Sequence, residues 1–210
     1  TNQKYNDFEI IKLPNQEGIT TTSPTALHGV IHVPHKRFAL DTLKKILHTH
    51  PMPAQVLIFV NTPHRVKITV KKLAEMGIIA APFTGEEQKQ DRTDVNKALR
   101  EGYVGIVVAT EMAARGIDAP YLTHVINYDL PTDASHYAHR AGRVARGGRP
   151  GIVINMTTSQ KERHVPFTRF AKPLQLQDQM YIVQPREGKL PIIGLSNQPQ
   201  PPKTSDTSNS

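Results

Sequence analysis

Between about Ala26 and Thr157, short apolar runs alternate with longer stretches whose apolar side chains recur at helical spacing. Short continuous apolar runs are typical of strands covered on both faces, and the helical spacing is typical of amphipathic helices. The runs that we predict as strands are HGVIHV, VLIFV, IIAAPF, GIVVAT, HVINYDL and, last in the chain, GIVINMT. This alternation predicts an α/β fold, with a parallel sheet and helices on both faces.

The predicted helices occupy RFALDTLKKILH, RVKITVKKLAEM, QKQDRTDVNKALR, a short EMAAR and DASHYAHRAGRVAR. We expect Gly77 to end the second helix and the Gly147–Gly148 pair to end the last one. In parallel sheets of this kind, ligands bind beyond the carboxyl ends of the strands. The residues that follow the predicted strands are therefore the first candidates for a functional site.

The chain divides into an extended N-terminal arm or interdomain linker (1–25), a folded domain (26–160), an extension (161–185) and a disordered tail (186–210). The arm is polar and rich in turn residues, and the extension contains the amphipathic stretch VPFTRFAKPLQL. The tail consists mainly of Pro, Gln, Ser, Thr and Asn, which cannot bury enough apolar surface to fold. Because the chain begins at Thr1 and not at Met, we expect a cut or processed protein.

The charge balance favours a polyanionic partner. The chain has 26 Lys and Arg against 18 Asp and Glu, a net charge of +8. Nucleic acid fits this balance better than an anionic membrane, and a merely soluble basic protein remains an alternative. No Cys is present, which excludes disulfides and thiolate metal sites, and no apolar run approaches the length of a membrane span. The close histidines His28, His32 and His35 lack an acid or Cys to complete a metal site.

Two segments combine the residue types that bind phosphate. In VVATEMAARGID, Thr110 can cap a helix whose exposed amides suit a phosphate, and Asp118 offers an acceptor for a sugar hydroxyl. In HYAHRAGRVARGG, arginines recur every three residues and would share one broad stripe of a helix. Such a stripe repels itself unless it meets anions. The alternatives are an ordinary strand–helix turn for the first segment and a solvated basic face for the second.

Together these segments resemble a known family. VLIFVNT, Arg92 seven residues after Gly85, ATEMAARGID, VINYDLP and HRAGRVARGG occur in the order and spacing of motifs in DEAD-box ATP-dependent RNA helicases. The resemblance covers about residues 26–160 and is to the second RecA-like domain of these enzymes. It implies a RecA-like fold, ATP as cofactor and RNA as partner. Taken alone, Arg92 would be assigned to the exposed surface.

The resemblance also implies a role for each matching residue. Arg143 and Arg146 would be catalytic arginine fingers at the ATP γ-phosphate, Asp118 would bind the ribose, and Gly116 would also bind the nucleotide. The residues expected to hold the RNA backbone are Arg92, Thr110, Arg115 and Gly116. The residues expected to contact the partner domain and the nucleotide are His139 and Arg140.

The chain departs from the family pattern at several positions. Thr84 stands where a His is usual and Lys89 where a Gln is common. Within the arginine motif, the usual Ile, Thr and Gly are replaced by Ala141, Val144 and Ala145. HRAGRV is similar to organellar ribosome-assembly members of the family, which implies an intracellular, mitochondrial or other organellar location and a ribonucleoprotein complex as partner.

The chain lacks the half of the site that binds ATP. It has neither G-x-x-x-x-G-K-[ST] nor an acidic quartet for Mg²⁺. We therefore expect an N-terminal RecA-like domain outside this chain to hold ATP and Mg²⁺, and we expect the chain alone not to hydrolyse ATP. The alternative is a non-catalytic RNA-binding or ribosome-assembly factor that retained the fold. A phosphate-binding lysine and an acidic quartet in the upstream sequence would favour the enzyme.

Overall fold

The computed structural model describes residues 10–11, 26–48, 54–146 and 149–183, and these include one eight-stranded sheet. The strands are β1 (Ile10–Ile11), β2 (Ala26–His32), β3 (Val56–Phe59), β4 (Ala81–Phe83), β5 (Ile106–Ala109), β6 (His124–Asn127), β7 (Gly151–Thr157) and β8 (Met180–Val183). Their order across the sheet is β1-β8-β2-β7-β6-β3-β5-β4. Strands β2 to β8 run parallel, and β1 pairs antiparallel with β8 at one edge.

The register places the ends of the central strands side by side. Phe59, the last residue of β3, lies opposite Ala109 of β5 and Asn127 of β6. Since parallel strands end at a common edge, the loops that follow these three strands emerge together. The part of the candidate site that includes Thr110 lies on this carboxyl edge, because Thr110 directly follows β5.

Helices cover both faces of the sheet. They are α1 (Ala39–Leu47), α2 (Pro63–Glu75), α3 (Lys89–Arg100), α4 (Glu111–Ala114), α5 (Ala134–Ala141) and α6 (Lys172–Leu174), with a π-helical turn (Pro166–Ala171) leading into α6. Side-chain oxygens cap the first turns of three of them, because Thr62, Thr110 and Asp133 accept backbone N–H bonds in α2, α4 and α5. None of the helices in the described ranges is long and apolar enough to cross a membrane.

Strand β3 shows why the central strands are continuously apolar. Val56 and Ile58 pack into the core layer beneath α1 and α2, whereas Leu57 and Phe59 pack into the opposite layer beneath α3 to α5. Successive side chains of a strand point to opposite faces, so a strand covered on both faces needs an apolar residue at every position. The predicted α/β fold with a RecA-like parallel sheet is confirmed.

Two predicted elements differ from the structure. Helix α5 ends at Ala141 with Gly142 as its C-cap, so the prediction that it continues to the Gly147–Gly148 pair is wrong. Strand β7 is not the last strand, because β8 follows it and pairs with β1 and β2. The predicted extension (161–185) therefore contributes a strand to the same sheet. The predicted tail (186–210) and most of the predicted arm lie outside the described residues.

Candidate functional site

The arginine loop between α5 and β7 lies next to the first residue of β7, because a Cβ at Gly151 would meet Val144 and Ala145. Arg143 is half-buried, Arg146 is exposed, and the Arg146 Nε donates a hydrogen bond of 3.0 Å to the carbonyl of Gly142. Between them, Ala145 has φ of +59°, a left-handed conformation that is costly for any residue with a Cβ. Ala145 occupies the position where the family that the sequence resembles usually has glycine.

Asp118 and the arginine loop line a common cavity. Its walls come from Asp118, Ala119, Pro120, Leu122, Arg143, Ala145, Arg146 and Arg149. The cavity volume is about 60 Å³, whereas pockets that enclose a small molecule usually measure about 300–1,000 Å³. The cavity is therefore too small to enclose a nucleotide, and a nucleotide bound against this wall would need a second wall.

Positive charge accumulates on this wall. Burial lowers the pKa of Arg143 from its ordinary value, and the nearby charges of Arg146 and Arg115 lower it further, while Glu111 raises it. Arginine stays protonated at neutral pH, so burial and repulsion by the neighbouring cations both make its charge less favourable here. An anion such as phosphate placed against Arg143 would relieve that repulsion.

Arg140 occupies a different environment from the other two arginines. Its side chain is 4% exposed, and its guanidinium donates to Glu111 at 3.1 Å and to Asn61 at 3.1 Å. Further bonds reach Asn127 at 3.2 Å and the carbonyl of Asp129 at 2.8 Å. The predicted helical stripe of three arginines is therefore wrong, because Arg140 points into the domain and α5 ends before Arg143. Contact between Arg140 and another domain stays a prediction that would require these bonds to break.

The partners of Arg140 were missed by sequence reasoning. Asn61 and Asp129 follow β3 and β6, Asn127 ends β6, and Glu111 opens α4, so all four lie at the carboxyl edge. Asp129 also binds Arg65 through both carboxylate oxygens. The available signal was the polar residue at the end of each apolar strand, but the sequence does not show that these ends meet around one guanidinium.

His139 lies at the surface beside the same carboxylate. Its Nδ1 is 3.7 Å from Glu111 Oε1, and the Nε2 of His136 is 3.9 Å from that oxygen. His139 is accessible to a partner domain, in contrast to Arg140, and its predicted interdomain role stays a prediction.

The predicted RNA-contacting residues surround the loop from Arg115 to Asp118. Thr110 caps α4 by accepting a bond of 3.3 Å from the N–H of Ala113, as the sequence indicated. A Cβ at Gly116 would lie 2.5 Å from Nη2 of Arg92, so only glycine lets the Arg92 guanidinium rest against this backbone. Arg115 is exposed next to Gly116. The structure thus brings these four residues together on one side of the carboxyl edge.

Thr84 has a local structural role where the family usually has His. Its hydroxyl donates to the Glu87 carboxylate at 2.7 Å, and the N–H of Gly85 donates to the same carboxylate at 2.8 Å. Burial tends to raise the pKa of Glu87, but the hydrogen bonds from Thr84 and Gly85 outweigh it and the net pKa is lowered. The turn that precedes α3 is therefore closed by Glu87.

The three histidines considered as metal ligands have separate environments. His28 is buried and its Nδ1 lies 2.6 Å from the hydroxyl of Tyr137, whereas His32 Nδ1 lies 3.0 Å from Thr157 Oγ1. His35 is exposed and accepts the N–H of Arg37. Within the described ranges, no group of three or more His, Asp or Glu residues is placed to hold a metal ion.

The fold and the site together define the class of the protein: a RecA-like domain that presents arginines beside a carboxylate. The family model described as helicase conserved C-terminal domain matches residues 39–148, just over half of the 210 residues. The chain belongs to this family, and the resemblance to the second RecA-like domain of a DEAD-box helicase is confirmed.

A curated relative gives the scale of the match. The DEAD-box ATP-dependent RNA helicase CshC of Bacillus cereus is 39% identical over 134 residues, covering 64% of this chain and 33% of the relative. The chain therefore spans about a third of that relative's length.

Solved structures agree with this placement. S. cerevisiae Dbp5 bound to RNA and ADP BeF3 has a TM-score of 0.67 at 26% identity, covering 77% of this chain and 42% of that one. E. coli SrmB bound to the regulator of ribonuclease activity A has a TM-score of 0.68 at 28% identity, covering 82% of this chain and 98% of that one. The similarity concerns the fold. The ligands and partners named for these two structures are those of Dbp5 and SrmB.

Proposed function

We propose that this chain is the second half of an ATP-dependent RNA helicase that unwinds or remodels short RNA duplexes. Arg143 and Arg146 would approach the γ-phosphate of ATP held by an N-terminal RecA-like domain. The observation that carries the proposal is that Asp118, Arg143 and Arg146 line one shallow cavity although up to 28 residues separate them in sequence. The relative CshC, which is named as an ATP-dependent RNA helicase, supports the same function.

The residues present fit a bound nucleoside triphosphate. The mutual repulsion around Arg143 favours an anion there, and a guanidinium can stabilise the charge of a transferring phosphoryl group without any proton transfer. Asp118, whose side chain is 59% exposed, can accept a hydrogen bond from a ribose hydroxyl. Mg²⁺, when bound with ATP by the partner domain, would neutralise phosphate charge. This chain would then orient the nucleotide and complete the site.

RNA would lie at the carboxyl edge of the sheet, beside Thr110. Arg92 and Arg115 can bind phosphate oxygens, and Thr110 and Gly116 offer a hydroxyl and a backbone that a sugar-phosphate chain can approach closely. Contacts of this kind carry no base information, so we expect RNA binding with little sequence preference. The loop from Arg115 to Asp118 would thereby join the nucleotide side to the RNA side.

Substitution of Arg143 tests the catalytic part of the proposal. In the complete helicase, Arg143→Ala should lower RNA-stimulated ATP hydrolysis by about a thousandfold or more, the effect expected of an arginine finger. The matched control is Arg163→Ala, an exposed arginine that does not line the cavity of Asp118 and Arg143, which should leave turnover unchanged. The chain alone should not hydrolyse ATP. Unchanged turnover in Arg143→Ala would refute the finger assignment.

The alternative is a non-catalytic RNA-binding or ribosome-assembly factor. A pure binding module needs no acidic residue and paired arginines facing a shared cavity, which favours the enzyme. If the complete wild-type protein binds RNA but does not hydrolyse ATP, that result would favour the alternative. A mitochondrial or other organellar location is part of the proposal too, and imaging of the tagged complete protein would test it.

A further inference from the structure

One stripe of α3 follows the loop from Arg115 to Asp118. Arg92, Asn96 and Arg100 are spaced four residues apart and therefore share a face of the helix. All three contact this loop. Arg92 lies against Gly116, and Nη1 of Arg100 lies 3.3 Å from Oδ2 of Asp118. The exposed Arg100–Asp118 pair contributes little by itself, since more than half of each side chain is in solvent.

Asn96, in the middle of the stripe, binds the loop backbone at two points. Its Nδ2 donates to the carbonyl of Gly116 at 2.9 Å, and its Oδ1 accepts the N–H of Asp118 at 2.9 Å. This pair of bonds uses a donor and an acceptor on two separate atoms of one short side chain, which the asparagine amide supplies. Leucine has a similar size but can make neither bond. Aspartate has two acceptors and would place a negative oxygen against the Gly116 carbonyl.

The two bonds lie at the boundary between two predicted functions. Gly116 and Arg115 are on the predicted RNA side, whereas Asp118 is the predicted ribose ligand two residues further along. The loop is exposed at Arg115, Gly116 and Asp118, so core packing fixes these residues only in part. Because Asn96 binds the loop at Gly116 and at Asp118, the backbone between these two residues is held in one conformation.

We infer that Asn96 is a positioning residue that holds the 115–118 loop so that the RNA side and the ribose carboxylate are presented in one fixed geometry. The inference rests on the proposed function. Asn96 itself touches neither RNA nor nucleotide. Its effect is exerted through the backbone of Gly116 and Asp118. The arginine loop is held by other residues, so the catalytic step should be less sensitive to Asn96 than binding is.

The test measures RNA-stimulated ATP hydrolysis of the complete helicase with Asn96→Leu. The RNA concentration for half-maximal stimulation and the KM for ATP should both rise at least about threefold, with kcat within about twofold of wild type. A merely structural effect would lower the active fraction, and thus kcat, without changing either constant. The matched control is Gln90→Leu, which removes another amide of α3 that binds only Asp94 within the described residues.

The outcomes separate the two proposals. If the wild-type protein shows no RNA-stimulated hydrolysis, the proposed function fails. If the wild type is stimulated but folded Asn96→Leu leaves both constants unchanged, or changes only one of them, the inference about Asn96 is overturned. If Asn96→Leu does not fold, Asn96→Asp is read in the same way, because it keeps the size of the side chain.

A second measurement checks the contact in this chain without any activity. The Asp118 amide should exchange with D₂O faster in Asn96→Leu than in wild type, by at least about threefold, because its hydrogen-bond acceptor is gone. Circular dichroism during thermal unfolding would show whether the variant is folded. Unchanged exchange at Asp118 in a folded variant would overturn the inference.

Discussion

Arg140 and Arg143 are the same residue type three positions apart, yet their environments differ because α5 ends between them. Arg140, in the last turn, is directed under the helix into a group of polar strand ends, and its guanidinium lies 4.9 Å from the centre of the Phe59 ring. Arg143 follows the Gly142 cap and faces the cavity. A buried cation is tolerated only where several acceptors surround it, and Arg140 has four.

This contrast predicts unequal effects on stability. Arg140→Met keeps the length of the side chain but leaves buried acceptors unpaired, and it should lower the free energy of unfolding by about 3–5 kcal/mol. Arg143→Met should change it by less than about 1 kcal/mol, because Arg143 is half-buried beside other cations. Urea denaturation of the two variants measures both values. Equal losses would contradict the structural role assigned to Arg140.

Ala145 shows how strongly local packing can constrain one residue. A Cβ on the neighbouring Gly151 would lie 2.7 Å from the Ala145 nitrogen and 2.7 Å from the Val144 Cβ, so the loop and β7 are in direct contact. Left-handed backbone costs a non-glycine residue about 1–2 kcal/mol. Ala145 is nevertheless 5% exposed, and burial of its methyl group offsets part of that cost.

At the scale of elements, helix α2 begins where its sequence indicates. Thr62 accepts the N–H of Arg65 at 3.3 Å, and Pro63 occupies the first helical position, where its missing N–H has no cost. Val66 and Leu73 on the buried face are completely covered by the sheet. The start of α2 therefore depends on one hydroxyl and its position depends on apolar burial.

Removal of that hydroxyl should have a measurable effect. Thr62→Ala should lower the free energy of unfolding by about 1 kcal/mol, because the N–H of Arg65 loses its acceptor. Thr62→Ser keeps the oxygen and should stay within about 0.5 kcal/mol of wild type. Thermal or urea unfolding of both variants provides the comparison. A similar loss in both variants would mean that the methyl group, and not the cap, is what matters.

The C-terminal elements join the core more fully than their sequence indicated. Phe170 stacks on Tyr137 of α5 with ring centres 4.8 Å apart, and both rings are completely buried. Met180 opens β8 and is also buried against the sheet. The sequence shows an amphipathic stretch there, but the short run MYIV carries no signal that distinguishes a strand from a buried loop.

At the scale of the whole molecule, two neutral histidines are enclosed by the sheet and its helices. Burial lowers the pKa of His28 and of His124 from 6.5 to about 4. Unfolded imidazoles bind protons below about pH 6.5, whereas these two remain neutral in the folded state to about pH 4. The stability they confer is therefore fully present above pH 6.5 and is lost as the pH falls towards 4.

The lowered pKa values of His28 and His124 predict that the free energy of unfolding changes with pH above the range in which carboxylates titrate. Between pH 7 and pH 5, each buried histidine should lower the free energy of unfolding by on the order of 2 kcal/mol. His124→Asn should reduce the loss between these two pH values by about that amount. Urea denaturation at both pH values tests it, with His48→Gln, an exposed histidine, as the control that should keep the wild-type loss. An unchanged loss in His124→Asn would contradict the prediction.

The sequence by itself predicted most elements of the fold and most members of the candidate site. Apolar runs such as VLIFV are predictable because a strand buried on both faces needs an apolar side chain at every position. Thr110, Arg115, Gly116 and Asp118 were found because their motif is local and its spacing is specific.

Only the tertiary structure decided how these residues are held. Whether an arginine becomes a buried hub, like Arg140, or faces a cavity, like Arg143, depends on which strand ends surround it, and those come from distant parts of the chain. The Asn96 bonds to Gly116 and Asp118 likewise span 20 and 22 residues. Local pattern determines elements because secondary structure follows nearby periodicity, whereas hydrogen-bond partners depend on the sheet order that brings distant residues together.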